Sequence, residues 1–522
     1  MLTLGDRLKA ARKKTGLSQT SAAEAVGIGN KSLSRYEKGE STPSPETIQK
    51  LSRLYNVSTE YVLGLTDVMG SSSDSSSIAG YSETIVGMTD HHTSARKLLE
   101  FIGTSPSRYH AIANITRRLS NEGFTELLES EKWNLEKGGK YFVVRNLSTV
   151  AAFKVGSKSP RSFNIISSHC DSPTFKIKPN AEMETLGHYI RINTEKYGGM
   201  IMSTWMDRPL SVAGRVIVSE GNILRTKLVA IDKDLLIIPN VAIHMQRKIN
   251  DGFTFNPAVD MVPLMGSLSA KGELMKLISE NAGVKEKSIM GSDLFLYNRT
   301  KGTIWGSDGE FVSSPQLDDL QCAYASMQGF LVGENPDTIS VLSVFDNEEV
   351  GSGTKQGARS NFLRTVCERI AASLGEDLNE MLPSSFVISA DNAHAVHPNH
   401  PEYADPTHRP FMNQGIVIKY NGDERYATDG MSEAVFKRVC KASNVPTQTF
   451  SNRSDLMGGS TLGNLSTSQL SVSTVDIGLP QLSMHSSYET AGSMDTLYFE
   501  RASAEFYRTK LQAVGDGEVV IK

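Results

Sequence analysis

Four short, almost continuously apolar runs constrain the fold of this 522-residue chain more than any other feature. They are FNIIS at 163–167, ISVLSVF at 339–345, SFVIS at 385–389 and STVDIG at 473–478. Such runs are typical of strands buried on both faces, and amphipathic helical stretches alternate with them from about residue 91. The pattern predicts an α/β domain over 91–522 with a largely parallel sheet. Between about 180 and 305 the segments are shorter and broken by Gly and Asn, which predicts an inserted subdomain.

The first 90 residues have a different composition. Residues 1–66 show short helical patterns and carry a net charge of +4, whereas the remainder of the chain carries −8. Residues 67–90 contain SSSDSSS and scattered Gly, which predicts a linker with little to bury. A basic small module joined to an acidic large one indicates different partners for the two parts.

Several classes of protein are excluded by what the sequence does not contain. No stretch approaches the roughly 20 apolar residues of a membrane span, and the first residues, MLTLGDRLKAARKK, lack the apolar core of a signal peptide. Four scattered cysteines form no C-x-x-C pair, which disfavours a disulfide framework or a cysteine zinc site, and we expect a cytoplasmic protein. No H-E-x-x-H, G-x-S-x-G or phosphate-loop motif is present, so single-zinc proteases, serine hydrolases and P-loop NTPases are excluded.

Residues 16–40, GLSQTSAAEAVGIGNKSLSRYEKGE, contain two short helical patterns joined by a Gly-containing turn. The segment resembles the Cro-type helix-turn-helix family, and the resemblance extends over residues 4–66. It implies a small all-α domain of five helices that binds DNA. By position, the candidate DNA contacts are Gln19, Asn30, Lys31 and Arg35, whereas Arg12 and Glu37 match an internal salt bridge of that family. Docking to another protein is the alternative role for this module.

The acidic residues and histidines of the large domain fall at the ends of the apolar runs. They are His169 and Asp171, Glu348 and Glu349, Asp391, and His485, with Asp318 at the start of a helical stretch. In open α/β sheets the carboxyl ends of strands form the ligand site, so these side chains could converge. Taken singly, such a histidine is ordinarily structural, such a Glu-Glu pair is ordinarily solvated, and an aspartate after a strand is often a helix cap. Together they favour a site for two divalent metals, because burying so many carboxylates without cations is costly.

Residues 91–522 are similar to the aspartyl aminopeptidase family over nearly their whole length. The matching stretches include HCDSPTFKIKP, YGGMIMSTWMDRPLSVAGRV, SPQLDDLQCAYASMQ, DNEEVGSGTKQGA, SADNAHAVHPNHPEYADPTHRP and VDIGLPQLSMHS. The resemblance implies a phosphorylase/hydrolase-like zinc exopeptidase fold, with the β-rich subdomain at about 180–305 serving dimerisation or as a lid. It also implies two zinc ions per subunit, with cobalt or manganese as other possible metals.

The resemblance further implies a role for each matching residue. His169 and Asp391 would bind one metal, and Glu349 and His485 would bind the other. Asp318 would bind both metals. Asp171 would orient the His169 ring, and Glu348 would be the general base that takes a proton from the attacking water. Asp319 departs from the pattern, since Asn usually follows the bridging aspartate.

Three other residues concern the substrate and the assembly. Lys419 matches a family lysine near the substrate side chain and would favour N-terminal Asp or Glu in peptide substrates. Tyr426 matches a nearby family tyrosine. The alternative is that Lys419 is a solvated lysine on the surface. His244 matches a histidine that a neighbouring subunit contributes to the active site. The family's homo-oligomer is a dodecamer built from dimers.

The sequence therefore favours an aminopeptidase with an added DNA-binding module. Two alternatives stay open. One is a DNA-binding transcription regulator whose peptidase domain senses peptides, and the other is a peptidase whose N-terminal module docks proteins.

Overall fold

The computed structural model describes residues 3–62 except 42, 44, 56 and 58–60, and residues 91–522 except 457, 460, 462 and 464–468. The chain divides into two compact units, Met1–Thr89 and Asp90–Lys522. The predicted linker, residues 67–90, lies entirely outside the described residues. Within the described part of the chain, no helix is both long and apolar enough to cross a bilayer.

The N-terminal unit consists of short helices, of which four have described bounds. They are Leu4–Lys14, Gln19–Val26, Asn30–Glu37 and Pro45–Tyr55. The side chain of Ser18 accepts a hydrogen bond from the Ser21 backbone N–H and so caps the second helix. Gly27, at φ 74°, ends that helix in the left-handed conformation, which glycine adopts without strain. The third helix follows directly, which gives the predicted helix-turn-helix.

The core of this unit contains apolar side chains from its helices and from the turns between them. Ala22, Val26 and Leu33 are buried, and Leu17 and Ile28 pack against the same cluster. Full burial of a side chain such as Leu33 stabilises the fold by about 1.5–3 kcal/mol.

The large unit contains a nine-stranded mixed sheet. Its strands are β1 Thr125–Leu127, β2 Lys140–Arg145, β3 Thr149–Val155, β4 Phe163–His169, β13 Ile339–Phe345, β14 Phe386–Ala390, β16 Ile416–Tyr420, β17 Thr447–Ser451 and β18 Ser473–Gly478. They are arranged in the order β1-β2-β3-β13-β4-β14-β18-β16-β17. The central strands β13, β4, β14 and β18 run parallel, and they are the four apolar runs of the sequence. The prediction of a largely parallel central sheet is confirmed.

Helices cover both faces of this sheet. The α-helices of the large unit with described bounds are His91–Gly103, Arg108–Asn121, Glu273–Ala282, Leu317–Val332, Phe362–Leu374, Leu378–Met381, Gly430–Ala442 and Asp495–Arg508. Neighbouring residues of β4 point to opposite faces: Ile166 joins the core that includes Leu320 and Phe499, whereas Ile165 joins the core that includes Val366. Burial on both faces explains why the central strands have no polar alternation.

Two further sheets and a C-terminal hairpin complete the unit. The second sheet contains β5 Thr174–Thr185, β6 Tyr189–Tyr197, β7 Leu210–Glu220, β8 Ile223–Ala230, β9 Leu264–Ser267 and β10 Ile289–Asn298. The third sheet and the hairpin contain β11 Thr303–Trp305, β12 Phe311–Ser314, β15 Ala393–His394, β19 Pro480–Leu482, β20 Glu489–Gly492, β21 Leu511–Gly515 and β22 Glu518–Ile521. The second sheet is antiparallel, in the order β8-β7-β10-β5-β6-β9, and the third has the order β11-β12-β20-β19-β15. The second sheet has its own core and occupies most of the region in which the sequence predicted an insertion.

The register of the central strands determines where the functional side chains meet. His169 is the last residue of β4 and pairs with Phe345, the last residue of β13. Asp391 follows directly after β14, the other neighbour of β4. The carboxyl ends of three parallel strands therefore lie side by side at one edge of the sheet.

Candidate metal centre

The first group of predicted ligands surrounds the side chain of His169. Its Nε2 atom lies 3.4 Å from Asp318 Oδ1 and 3.7 Å from Asp391 Oδ1. All three residues are buried. Asp318 reaches this point from the first turn of the helix Leu317–Val332, so the group combines two strand ends and one helix start.

The second group lies on the other side of Asp318. His485 Nε2 is 3.4 Å from Asp318 Oδ2 and 3.4 Å from Glu349 Oε2. Asp318 thus presents one oxygen to each histidine. Within each of the two groups, the candidate ligand atoms lie within 4.8 Å of one another.

The residues fit divalent cations in geometry and in chemistry. Two ligand atoms at about 2.0–2.1 Å from a tetrahedral zinc ion are separated by roughly 3.3 Å, which is close to the four distances above. Two buried oxygens, Asp318 Oδ1 and Glu349 Oε1, accept no hydrogen bond from any described residue. A buried carboxylate oxygen without a partner is costly, and a cation would satisfy it. Imidazole and carboxylate donors suit zinc and also cobalt or manganese.

Asp171 holds the loop that carries the two glutamates. Its carboxylate accepts hydrogen bonds from the backbone N–H of Glu348 (3.1 Å) and of Glu349 (3.2 Å). The His169 ring, which Asp171 was expected to orient, has its Nδ1 atom 3.0 Å from the backbone carbonyl of Asp171 and 3.5 Å from its carboxylate. The carbonyl is therefore the partner that fixes the ring, and it leaves Nε2 directed at Asp318.

Glu348 lies on the loop after β13, directly before the candidate ligand Glu349, and is only partly exposed. Burial raises the pKa of its carboxyl to about 8, with Asp391, Asp171 and Asp318 adding repulsion and His169 opposing it. A carboxyl in this environment can hold and release a proton near neutral pH.

Two further carboxylates belong to the site. Asp319, fully buried, accepts a hydrogen bond from the His169 backbone N–H (3.1 Å) and lies within the first group of ligands. Glu489 was missed by the sequence analysis. It accepts hydrogen bonds from the backbone N–H groups of Asp318 (3.0 Å) and His485 (2.8 Å), and burial raises its pKa to about 8. Its spacing of four residues from His485 was the only signal in the sequence.

Lys419 lies beside the first group of ligands, and the alternative of a solvated surface lysine is wrong because its residue is only 3% exposed. Its Nζ atom donates to the Asn392 carbonyl (2.8 Å) and lies 3.9 Å from Asp391 Oδ2. Burial is the largest single effect and acts to lower the pKa of this ammonium, but Asp391, Tyr426 and Asp476 together outweigh it, so the pKa lies above its usual value. The ring of Tyr426, also buried, is centred 5.7 Å from Nζ.

His244 is placed apart from the other site residues. It is exposed, in a turn between β8 and β9 of the second-sheet region. It is in neither of the two ligand groups.

The candidate DNA contacts of the N-terminal unit share one region of the helix-turn-helix. Asn30, Lys31 and Arg35 are exposed on the helix Asn30–Glu37. Gln19 is half-buried, and its side-chain amide donates to Glu37 Oε2 (2.8 Å).

The predicted salt bridge between Arg12 and Glu37 is confirmed. The guanidinium makes two hydrogen bonds to the carboxylate, at 2.6 and 2.9 Å, and both residues are buried. A paired arrangement of this kind fixes the first helix against the third.

Two family models match separate parts of the chain. The model described as aminopeptidase I zinc metalloprotease (M18) matches residues 101–507, and a helix-turn-helix model matches residues 8–62.

Curated relatives and solved structures resemble the large unit. The probable M18 family aminopeptidase 2 of Clostridium acetobutylicum is 48% identical over 424 residues, which cover 79% of this chain and 98% of that protein. A chain in the cryo-EM structure of the Ape4 and Nbr1 complex superposes with a TM-score of 0.77 at 35% identity, covering 80% of this chain and 86% of that one. The S. cerevisiae mApe1 dodecamer gives a TM-score of 0.71 at 28% identity, covering 79% and 96%.

Proposed function

The chain belongs to the M18 family of zinc metallo-aminopeptidases, and we propose that it removes N-terminal Asp or Glu from peptides by means of two zinc ions per subunit. The observation that carries this proposal is the position of Asp318. Its two carboxylate oxygens face different histidines, His169 and His485, each at 3.4 Å. A carboxylate shared in this way is the ligand that two adjacent cations require.

The chain's own residues provide the remaining parts of the mechanism. Bound zinc would supply Lewis acidity for the scissile carbonyl and would lower the pKa of a water molecule towards about 7. Glu348 accepts the proton of the attacking water and delivers it to the departing amine. The raised pKa of its carboxyl suits this exchange, although cations nearby would lower that pKa by offsetting the repulsion among the carboxylates.

The preference for acidic residues rests on Lys419. An ammonium has three donors, and one of these is used by the Asn392 carbonyl. In a buried setting, a charge-assisted hydrogen bond to a substrate carboxylate is worth about 1.5–3 kcal/mol. The proximity of Lys419 to Asp391 places this positive charge next to the reacting centre.

We expect zinc-loaded protein to hydrolyse Asp- and Glu-para-nitroanilide with a kcat/KM at least about tenfold above that for Leu- and Lys-para-nitroanilide, from the energy of a charged hydrogen bond. Removal of metal by a chelator should abolish hydrolysis, and added zinc should restore it. Lys419→Met should lose the acidic preference.

Each other result has a distinct meaning. Faster cleavage of the Leu substrate would contradict the role of Lys419 and leave the metal chemistry intact. No cleavage of any substrate by protein with zinc bound would favour a transcription regulator that senses peptides.

We propose that the N-terminal unit binds duplex DNA. Asn30, Lys31 and Arg35 are exposed along the second helix of the helix-turn-helix, the element that enters the major groove in proteins of this kind. The net charge of +4 over residues 1–66 favours association with phosphates. The Gln19 side-chain amide donates to Glu37 through its nitrogen, and its oxygen can accept a hydrogen bond from DNA.

We expect the full-length protein to shift duplex DNA in a mobility assay, with an affinity that falls as salt is raised. Lys31→Ala combined with Arg35→Ala should weaken binding by at least about tenfold, since each charged contact contributes 1 kcal/mol or more. Lys285→Ala, an exposed lysine of the large unit, is the control. Equal binding by all three proteins would favour the docking role instead.

We propose finally that the chain forms a homo-oligomer, as the S. cerevisiae relative does in its dodecamer, and that His244 enters the active site of a neighbouring subunit. The exposed position of His244, outside both ligand groups, supports this proposal.

A further inference from the structure

The carboxylate of Asp171 has a third donor besides the backbone N–H groups of Glu348 and Glu349. Tyr197, the last residue of β6 in the second sheet, places its hydroxyl 2.7 Å from Asp171 Oδ2. The loop that carries the general base and a metal ligand is therefore connected, through one carboxylate, to a different sheet.

The direction of this hydrogen bond is fixed by the other partners of the hydroxyl. Arg108 Nη1 lies 2.6 Å from it and Asn347 Nδ2 lies 2.8 Å from it. Both nitrogens are donors only, so the tyrosine oxygen accepts from them and its own hydrogen goes to Asp171. The hydroxyl is thus held in one orientation by two donors.

Arg108 is the anchor of this arrangement. It is only 5% exposed, and its Nη1 also donates to Asp346 Oδ1 at 2.8 Å. The guanidinium lies against two rings, 4.1 Å from the centroid of Tyr197 and 4.4 Å from that of Phe295. One side chain therefore joins the helix Arg108–Asn121, the end of β13 and the second sheet.

The loop after β13 needs such support. Asn347, at φ 64°, and Gly351, at φ 87°, both have left-handed backbone conformations on either side of the glutamates. Such a conformation at a residue with a side chain persists when its surroundings hold it in place. The N–H groups of the two glutamates are held by Asp171, and the Asn347 side-chain oxygen accepts hydrogen bonds from Thr354 and Gln356.

We propose that Arg108 and Tyr197 are positioning residues of the metal centre, which hold Asp171 and, through it, Glu348 and Glu349. This inference rests on the proposed roles of the two glutamates. Neither Arg108 nor Tyr197 is assigned a contact with the substrate: they set the geometry of groups that have one. Their loss should reduce zinc binding by Glu349 and proton transfer by Glu348, with little effect on the binding of the substrate itself.

A purely packing role is the competing explanation, and Arg215 provides a matched control for it. Arg215 is a half-buried arginine that likewise lies over a tyrosine ring, 4.4 Å from the centroid of Tyr109. Its ion pair with Asp293 (2.9 Å) lies within the second sheet, and its hydrogen bond to the Asn146 carbonyl (2.7 Å) connects that sheet to the turn between β2 and β3. These partners lie outside the metal centre.

The test compares Tyr197→Phe, Arg108→Met and Arg215→Met in the full-length protein. Tyr197→Phe removes one oxygen and keeps the ring against which Arg108 packs, so it preserves the fold best. Zinc affinity is measured by competition with a chromophoric chelator. The values of kcat and KM are measured with Asp-para-nitroanilide, and stability is measured by thermal unfolding. We expect Tyr197→Phe and Arg108→Met each to lower zinc affinity and kcat by about 10- to 100-fold, with KM nearly unchanged. Arg215→Met should lower stability alone.

Native zinc affinity and kcat in Tyr197→Phe would overturn the inference, and so would an equal loss in Arg215→Met. If the native protein cleaved no substrate, the proposed function would fail, whereas the zinc affinities would still decide whether Tyr197 positions the centre.

Discussion

Replacing Glu348 with glutamine should lower kcat for Asp-para-nitroanilide by about 10²- to 10⁴-fold, the contribution of a general acid–base group. The amide has the same shape as the carboxylate but cannot accept the proton of the attacking water. Its backbone N–H still binds Asp171, so the loop should keep its position. The variant should therefore bind as much zinc as the native protein, as measured by elemental analysis after dialysis.

Glu349→Gln is the matched control because it makes the same change at the adjacent residue. Glu349 Oε2 lies 3.4 Å from His485 Nε2, in the second group of ligands, so this variant should lose zinc as well as activity. If instead Glu348→Gln lost zinc while Glu349→Gln kept it, the proposed roles of the two glutamates would be exchanged. Activity within tenfold of native in Glu348→Gln would rule out that residue as the base.

The central sheet was predictable because of its environment. The apolar runs at 339–345 and 473–478 coincide with β13 and β18, since strands covered by helices on both faces need apolar residues throughout. The sheet is mixed beyond these strands: β2, β3 and β16 pair antiparallel with neighbours. Pairing direction depends on where the chain returns, which no local run of residues specifies.

The clustering of the candidate ligands was predictable for a related reason. His169 ends a central strand, whereas Glu349 and Asp391 follow central strands directly or within a few residues, and parallel strands bring such positions together. The supporting residues have no comparable signal. Tyr197 contacts Asp171 from another sheet, and Arg108 contacts Asp346 across more than two hundred residues of chain. Only the packing of the two sheets brings these side chains to the centre.

The largest effect expected from assembly concerns His244. Within one chain it belongs to neither ligand group, and it lies exposed in a turn. If a neighbouring subunit supplies it, His244→Ala should be inactive although its own zinc ligands are intact. Glu348→Gln should be inactive for a different reason, since it lacks the base but still offers its own His244 to a neighbour.

Co-expression of the two inactive variants with different tags should therefore restore activity. A site functions when its own subunit carries Glu348 and the neighbour carries His244. One of the two sites in a mixed symmetric dimer is therefore complete, and doubly tagged dimers should recover about half of the native kcat per subunit. Assemblies that carry both tags are isolated by sequential affinity purification, and kcat is measured per subunit.

Glu348→Gln paired with Glu349→Gln is the matched control for this experiment. Both changes affect the same subunit's contribution to its own site, so no arrangement of the two variants contains a complete centre, and the mixture should stay inactive. A doubly tagged assembly of His244→Ala and Glu348→Gln with no activity would show that His244 does not act across the interface. Native activity in His244→Ala alone would show that the histidine is not needed. Either result would contradict the proposed role of His244 and leave the proposed metal chemistry at Asp318 unaffected.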